Sequence, residues 1–510
     1  EFLGWVNVLP DEVIRARPVF GVYYALALLP DDLEAAEARL RDAEGVLDRA
    51  RARPDAAAVE MVVVDDEGFR SLPGTMAIIR AYVAGARGDV PGIVRYARQA
   101  LDRLPEDDAL WRGAAGALLG LAHWTSGDLE AAYQAFAEGV ASLRMTGDIT
   151  HEITGAFVLA NIRTAQGRLR EAARIYERAL DLAVDRGGSV PPTTADLYVG
   201  LGDLLREHND LDAASRYLRS SKEFGEHGGL PENRYRWYVG MARIAEAQGY
   251  LDHALDLLNE AQRLYVRSPD PEVCPVAAVK ARVWVRQGKL AEALGWVRER
   301  SLSVDDDLGY LREFEHITLA RVLIAQSKSN RLDSSIREAI AFLERLRKAA
   351  EEGGRMGSVI ELLGLQALAH EVQGDIPRAL ASLARALTLA EPEGYVRIFV
   401  DEGQPMRTLL RRAAASGTTS SYTQRLLSAF NEPAQPASTP AHAAGLVEPL
   451  TGREVEILRL VAAGMRNQEI ADHLVISPAT VKRHIANAYG KLGASHRTEA
   501  IVRANELNLL

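Results

Sequence analysis

One predicted helix near the end of this 510-residue chain carries the side chains that most clearly suggest chemistry. At 100° per residue, Lys482, Arg483 and Asn487 fall on the face opposite an apolar stripe, and no Asp or Glu occurs between residues 472 and 499. The stripe, spaced four, three and four, consists of Val481, Ile485, Ala488 and Leu492. Lys and Arg donate to guanine acceptors and Asn can bond adenine bidentately. We therefore predict that the polar face reads bases in the DNA major groove.

Three further helices are predicted around it from their start signals. Thr451 and Glu454 form a capping box, and Ser477 is an N-cap followed by Pro478 at the first helical position. A short helix over 467–474 begins beside Arg466, where backbone N–H groups suit phosphate contacts. A cap at Ser495 is expected to open the last helix.

These residues closely resemble the LuxR-type helix-turn-helix, a bacterial four-helix DNA-binding domain, over about 60 residues. The resemblance implies that Lys482, Arg483 and Asn487 face bases. It implies dimer contacts through the last helix, around Ala500 to Leu507. It also implies that five residues contact the DNA backbone: Arg466, Asn467, Ser477, Thr480 and Lys491. The plainer alternative, a solvated basic face, is less consistent with the missing acidic residues.

The charge of the chain divides at the same place. The net charge is −10, but residues from 449 onward contain eight Lys and Arg against six Asp and Glu. The acidic remainder should repel DNA, which leaves the C-terminal segment as the part that approaches it. Binding should be salt-sensitive.

Residues 80–390 contain a repeated turn in which Gly or Asn is followed by a polar residue, an apolar residue and then alanines. Successive turns lie 39 to 44 residues apart, which is typical of a stacked helical solenoid. The Gly or Asn is predicted to be a left-handed helix C-cap. The turns begin at Gly88, Gly127, Gly167, Asn209, Gly249, Gly288, Asn330 and Gly374, with an earlier one at Asp32. The unit resembles a tetratricopeptide repeat with a longer period.

Such a superhelix offers a concave face to a peptide, a protein or a small effector. Four aromatic residues fall on the first helices of their repeats, which are expected to line that face: Trp124, Trp237, Tyr238 and Trp284. They are the candidate effector contacts, although aromatic residues at helical spacing more often belong to the core.

Several stretches, such as 235–238, 284–288, 310–316 and 391–397, resemble the MalT-type regulators, which are large ATP-binding activators of the LuxR family. In that family an N-terminal nucleotide-binding domain precedes the repeats. Here Gly288-Lys289 and Gly490-Lys491 both lack the earlier glycine of a P-loop. We therefore expect no cofactor in this chain, with ATP possible only through an upstream domain. Since residue 1 is Glu, not Met, we take the chain for a fragment.

Composition sets the remaining expectations. A single cysteine, no signal peptide and no apolar run of 18 residues favour a cytoplasmic protein at the bacterial nucleoid, without a membrane partner. The histidines show no metal-ligand spacing, and no catalytic constellation is recognisable, so an enzyme is not expected. The segment 431–448, rich in Pro, Ala and Ser, is predicted to be a flexible linker.

We therefore predict an all-α chain with four parts: an N-terminal helical segment (1–79), a tetratricopeptide-like superhelix (80–430), the linker (431–448) and a LuxR-type domain (449–510). The expected function is sequence-specific binding of double-stranded promoter DNA by a dimer or oligomer. By resemblance the protein is an activator, with RNA polymerase a possible partner and an unknown small molecule or protein as effector. The alternative is a protein-interaction scaffold with a vestigial DNA-binding domain.

Overall fold

The structure, a computed structural model, is divided into two units, residues 1–431 and 432–510, which are described separately. All regular elements among the described residues are helical, as the sequence predicts. The described residues are 9–29, 31–52, 61–147, 149–185, 191, 193–225, 232–266, 271–330, 333–415, 421–430, 452–462, 464–474, 478–492, 494 and 496–506. The predicted linker, Ser477, Ser495 and Thr451 lie outside them.

The first unit is a succession of antiparallel helix pairs. Its first eleven described helices are α1 (Asp11–Arg15), α2 (Pro18–Leu28), α3 (Leu33–Ala52), α4 (Asp66–Ala86), α5 (Val90–Arg103), α6 (Ala109–Ser126), α7 (Leu129–Arg144), α8 (Ile149–Ala165), α9 (Leu169–Asp185), α10 (Thr194–Glu207) and α11 (Leu211–Gly225). The next eleven are α12 (Asn233–Ala247), α13 (Leu251–Arg263), α14 (Val276–Arg286), α15 (Leu290–Glu299), α16 (Glu313–Asn330), α17 (Asp333–Glu352), α18 (Met356–Gln373), α19 (Ile376–Ala390), α20 (Arg397–Val400), α21 (Gln404–Ala415) and α22 (Ser421–Ala429).

The repeated turns have the backbone conformation that the sequence predicts. Positive φ angles occur at Gly88, Gly127, Gly167, Asn209, Gly249, Gly288 and Gly374. The copy expected at Asn330 differs, because α16 continues through that residue. The division predicted between residues 79 and 80 falls inside α4, so the N-terminal segment and the first repeat share a helix.

The residue after each of several turn glycines has a role that sequence reasoning missed. The carboxylate of Asp128 accepts the amide of Ala131 at 3.1 Å, which caps the second helix of its pair. Equivalent caps are made by Asp89, Asp210 and Asp375, while Asp32 caps α3 without a left-handed residue directly before it. The turn therefore ends one helix with a left-handed residue and begins the next with an acid.

Alanines five residues after six of the turns allow the paired helices to approach closely. Each is fully buried: Ala132, Ala172, Ala214, Ala254, Ala293 and Ala379. A larger side chain at these positions would push the two helices apart, because the interior is already close-packed. The alanine pattern read from the sequence thus marks the contact between the helices of one repeat.

The stack of repeats turns back on itself within the first unit. The indole N–H of Trp124 donates to the hydroxyl of Tyr310 at 3.1 Å, across 186 residues. A Cβ added to Gly167 would lie only 2.8 Å from the backbone nitrogen of Gly357. Two of the repeat turns therefore contact later helices directly, and the space between becomes a cavity.

The second unit contains α23 (Gly452–Ala462), α24 (Asn467–Leu474), α25 (Pro478–Leu492) and α26 (Arg497–Glu506). Its core has two parts. One contains Ile457, Val461, Ile470 and Val481, and the other contains Leu458, Ala488, Leu492, Ala500 and Ala504. Both parts include residues of α25, so the packing of its apolar face determines which side of the helix remains exposed.

Replacing Gly167 by alanine tests the contact between repeats. At Gly249, where φ is 86° and nothing lies within 4 Å of an added Cβ, we expect Gly249→Ala to cost only the left-handed strain of roughly 1–2 kcal/mol. Gly167→Ala adds a clash with the Gly357 backbone and should cost about 1–3 kcal/mol more. Denaturant unfolding followed by circular dichroism compares the two variants. Equal losses would show that the backbone contact yields easily.

Candidate DNA-binding surface and repeat-domain cavity

The apolar face of helix α25 is buried, as the sequence predicts. Val481, Ala488 and Leu492 are buried, and Ile485 is half-buried. Lys482 and Gly490 are exposed, so the basic side chain of Lys482 is accessible from solvent. The side chains of Thr480, Arg483 and Asn487 lie outside the described part, although their backbone belongs to α25, and Lys491 is half-buried. Their DNA contacts remain predictions.

The start of α24 is capped by a side chain from the helix itself. The amide of Arg466 donates to the carboxylate of Glu469 at 2.6 Å, so this N–H is not available to a phosphate. Asn467 is half-buried, whereas the side chain of Arg466 is exposed. A phosphate contact at this turn therefore depends on the Arg466 guanidinium and on the remaining amides.

Two arginines of α26 hold the helices of this unit together. The Arg497 guanidinium donates to the carbonyl oxygens of Val461 and Met465, at the end of α23. Arg503 donates to the carbonyl oxygen of Leu492 at 2.7 Å, where α25 ends and carbonyls have no helical partner. The sequence motif contains Arg497, but only the structure shows that it positions helices. The helix begins at Arg497, with the His496 ring accepting the Glu499 amide at 3.3 Å.

The first unit encloses a cavity of about 740 Å³ between the repeats and the helices that return onto them. Of the four aromatic candidates, Trp124 lines this cavity. The indole of Trp237 instead donates to the Leu218 carbonyl oxygen at 2.7 Å. Tyr238 packs in the cluster around α12 to α14, and Trp284 packs against the largest core cluster. These three do not line the cavity, because their rings are used for packing between helices.

Many of the residues that line the cavity are charged, a feature that sequence reasoning missed. Nine are Arg or Lys and eight are Asp or Glu. Asp401 is at the centre of one group, with ion pairs to Arg206, Arg286 and Arg397. Although burial opposes its charge, these arginines lower the pKa of Asp401 to about 2. The carboxylate is therefore held ionised at neutral pH.

A second charged group lies around Glu361. Its carboxylate pairs with Arg282 at 2.8 Å and with Arg321 at 2.7 Å, and Arg321 also pairs with Glu402. The guanidinium carbon of Arg282 lies 3.6 Å from the ring centroid of Phe314, which is a cation–π contact. Burial raises the pKa of Glu361, but the two arginines outweigh it and the pKa is lowered.

Other kinds of site can be reported briefly for the described residues. They contain no group of three or more His, Cys, Asp and Glu that could hold a metal ion. No helix among them is both long and apolar enough to cross a bilayer. The cavity and the basic helix are thus the two features to explain.

Stacked helical repeats and a four-helix unit with an exposed lysine on its third helix define a repeat-containing helix-turn-helix protein. Residues 74–416 match the family described as MalT-like TPR region, and residues 448–504 match the bacterial regulatory proteins of the luxR family. Since the first match covers more than half of the chain, the protein belongs to the MalT-like TPR family.

Similar proteins agree with this assignment. The transcriptional regulator MalT of Serratia proteamaculans is 25% identical over 526 residues, covering 98% of this chain and 55% of the relative. MalT of Yersinia pestis (strain Pestoides F) is 26% identical over 502 residues, covering 94% and 54%. The chain thus spans about half the length of these relatives. Among solved structures, a Rap protein complexed with competence and sporulation factor aligns with a TM-score of 0.50 at 11% identity. The alignment covers 75% of this chain and 99% of that one, and it shows a similarity of fold.

Replacing Arg497 by alanine should destabilise the second unit. Its hydrogen bonds to two carbonyl oxygens come from a charged donor, so their loss should cost roughly 1.5–3 kcal/mol. Hydrogen exchange of α23 to α26 in the whole chain measures this. Arg459→Ala, on the exposed side of α23, is the control and should change little. A DNA-binding defect without faster exchange would assign Arg497 to the DNA surface instead.

The only cysteine of the chain, Cys274, lines the cavity and reports on its environment. Burial raises the pKa of its thiol, with Arg243 acting in the opposite direction. Because the thiolate is the reactive form, alkylation should reach half its maximal rate at a higher pH than for an ordinary cysteine, about 8.5. Iodoacetamide labelling from pH 7 to 10 measures this. The control is the same titration of protein in denaturant. If the folded protein has a lower midpoint pH for labelling than this control, the arginines outweigh burial in setting the thiol pKa.

Proposed function

We propose that this chain is the sensing and DNA-binding part of a transcriptional activator. The observation that carries the proposal is the arrangement of α25. The apolar face of this helix is buried, while Lys482 on the same helix is exposed. The helix lies in the segment that matches the luxR family. In this proposal Lys482, Arg483 and Asn487 contact base edges. Arg466, Asn467, Ser477, Thr480 and Lys491 contact the sugar-phosphate backbone.

The protein acts as a dimer on paired half-sites about one helical turn apart. The last helix supports this part of the proposal, because Val502 is 51% exposed although its neighbours Ala500 and Ala504 are buried. The expected location is the bacterial cytoplasm, with promoter DNA and RNA polymerase as partners.

The repeat unit is proposed to sense a small-molecule effector. A cavity of about 740 Å³ lies within the range of small-molecule sites, and it combines aromatic rings with charged groups. A protein or peptide effector is the second candidate, since a Rap protein of similar fold is complexed with competence and sporulation factor. The scaffold alternative predicts a stable protein partner and no measurable DNA affinity.

Selection of binding sites from random duplex DNA tests the DNA-binding proposal. The chain should enrich a sequence motif, and Lys482→Ala/Arg483→Ala should enrich none, because the base contacts are lost. Arg263→Ala, which removes an exposed arginine of α13 in the first unit, is the control and should enrich the same motif. If neither the chain nor the control enriches a motif, the proposal is contradicted and the scaffold alternative is favoured.

Single substitutions then separate base from backbone contacts. Arg483→Ala should weaken binding to the selected site by roughly 1–3 kcal/mol and leave binding to random DNA nearly unchanged. Lys491→Ala should weaken both and reduce the slope of log K against log salt by about 1. Fluorescence anisotropy at several salt concentrations distinguishes the two. Equal losses for Arg483→Ala on both DNAs would refute its role in base reading.

A further inference from the structure

Residues 393–402, which we call the strap, connect the last repeats to the repeats on the far side of the cavity. The Val396 amide donates to the backbone carbonyl oxygen of Glu207 at 3.1 Å. The Ile398 amide donates to the Glu207 carboxylate at 2.8 Å. Five strap residues line the cavity, so the strap is both a brace of the fold and a part of the cavity wall.

The ion pairs between the strap and the repeats have a consistent direction. The strap contributes the carboxylates, Asp401 and Glu402, and the repeat helices contribute the guanidinium groups that bind them. These guanidinium groups belong to Arg206, Arg286 and Arg321. A molecule that competes with the strap for these arginines must therefore itself carry acid groups.

The buried hydrogen-bonding capacity of the cavity wall points the same way. Four guanidinium nitrogens of lining residues are buried without a hydrogen-bond partner among the described atoms: Arg206 Nε, Arg282 Nη2, Arg321 Nε and Arg397 Nε. No carboxylate oxygen of a lining residue is in that condition in the described part of the chain. Unpaired charged donors are costly, and a ligand or a water molecule with acceptor atoms would relieve that cost.

The strap is also tied to the end of the first unit. The Tyr422 hydroxyl donates to the carbonyl oxygen of Tyr395, and Arg425 donates to that of Gly394 at 2.9 Å. Both donors belong to α22, the last described helix before the second unit begins. A displaced strap would therefore remove two of the hydrogen bonds that position this helix.

We propose that the cavity binds a small organic polyacid, whose carboxylate or phosphate groups replace Asp401 and Glu402 on Arg206, Arg286 and Arg321 and so release the strap. Two or more acid groups are needed because the strap itself supplies two. Release of the strap loosens the attachment of α22, which alters the connection to the DNA-binding unit. This last link rests on the proposed function, whereas binding and release do not.

Calorimetry on the whole chain tests the ligand class. Tricarballylate supplies carboxylates, inorganic pyrophosphate supplies phosphate, and tricarballylamide is the uncharged match of the first. We expect at least one of the two acids to bind at least tenfold more tightly than the triamide, and the better of the two identifies the kind of acid group. If neither acid binds more tightly than the triamide, the proposal is wrong.

Hydrogen exchange of the strap tests its release. The better acid should accelerate exchange of the Val396 and Ile398 amides at least tenfold, because both lose their acceptors on Glu207. In Asp401→Asn these amides should exchange quickly without ligand, and the acid should bind about tenfold more tightly because its competitor is weakened. Arg286→Gln should bind it at least tenfold more weakly, and Arg263→Gln is the control with unchanged binding.

The outcomes separate the steps. Tight binding without faster strap exchange, or unchanged affinity in Asp401→Asn, would overturn the replacement of the strap acids. Glu402→Gln provides the same comparison through Arg321 if Asp401→Asn does not fold. Binding and release without any change in affinity for the selected DNA would overturn only the regulatory link. Failure to select DNA at all refutes the proposed function and leaves the acid site standing.

Discussion

Direct contact between distant repeats is the constraint on which the first unit depends. A solenoid whose repeats touch only their neighbours has an open groove. Here the turn at Gly167 approaches the backbone at Gly357 so closely that a Cβ added to Gly167 would lie 2.8 Å from the Gly357 nitrogen. The approach converts a groove into a partly enclosed cavity. Partial enclosure lowers the local dielectric, which strengthens the ion pairs between the charged groups inside.

Those paired charges contribute more to the choice of one helix arrangement than to the free energy of folding. Desolvation of a buried ion pair can cost as much as the attraction returns, so an apolar wall of the same shape would hold the helices together as well. Asp401 nevertheless bridges arginines from three different elements, α10, α14 and α20. Such a bridge requires all three elements in place at once. It therefore favours one closed arrangement, and removing its acid weakens several contacts together.

Local features of this fold could be predicted from sequence because they depend on residues a few positions apart. The left-handed turn at Gly127 and the buried alanine at 132 are set within one turn of the chain. The amphipathic division of α25 likewise follows from helical periodicity alone. These features recur in the repeats, which is why a period near 40 residues could be recognised without any structure.

The cavity could not be predicted, since its contacts join residues nearly two hundred positions apart. Arg206 and Asp401 carry no local sign of their pairing. The aromatic residues misled for a related reason: periodicity places Trp237 on the first helix of its repeat but does not say that its indole hydrogen-bonds the Leu218 carbonyl oxygen. A search for charged residues on the first helices would have found more of the lining than the search for aromatics did.

The position of the strap in the chain connects these observations. It follows the last repeat and precedes the final helices before the second unit, so any force that displaces it acts on the segment leading to the DNA-binding helices. The strap is held to the repeats by hydrogen bonds and ion pairs, which an acid can exchange, and by the burial of Val396 and Phe399 in the core. A two-state element of this kind is what coupling between two sites requires.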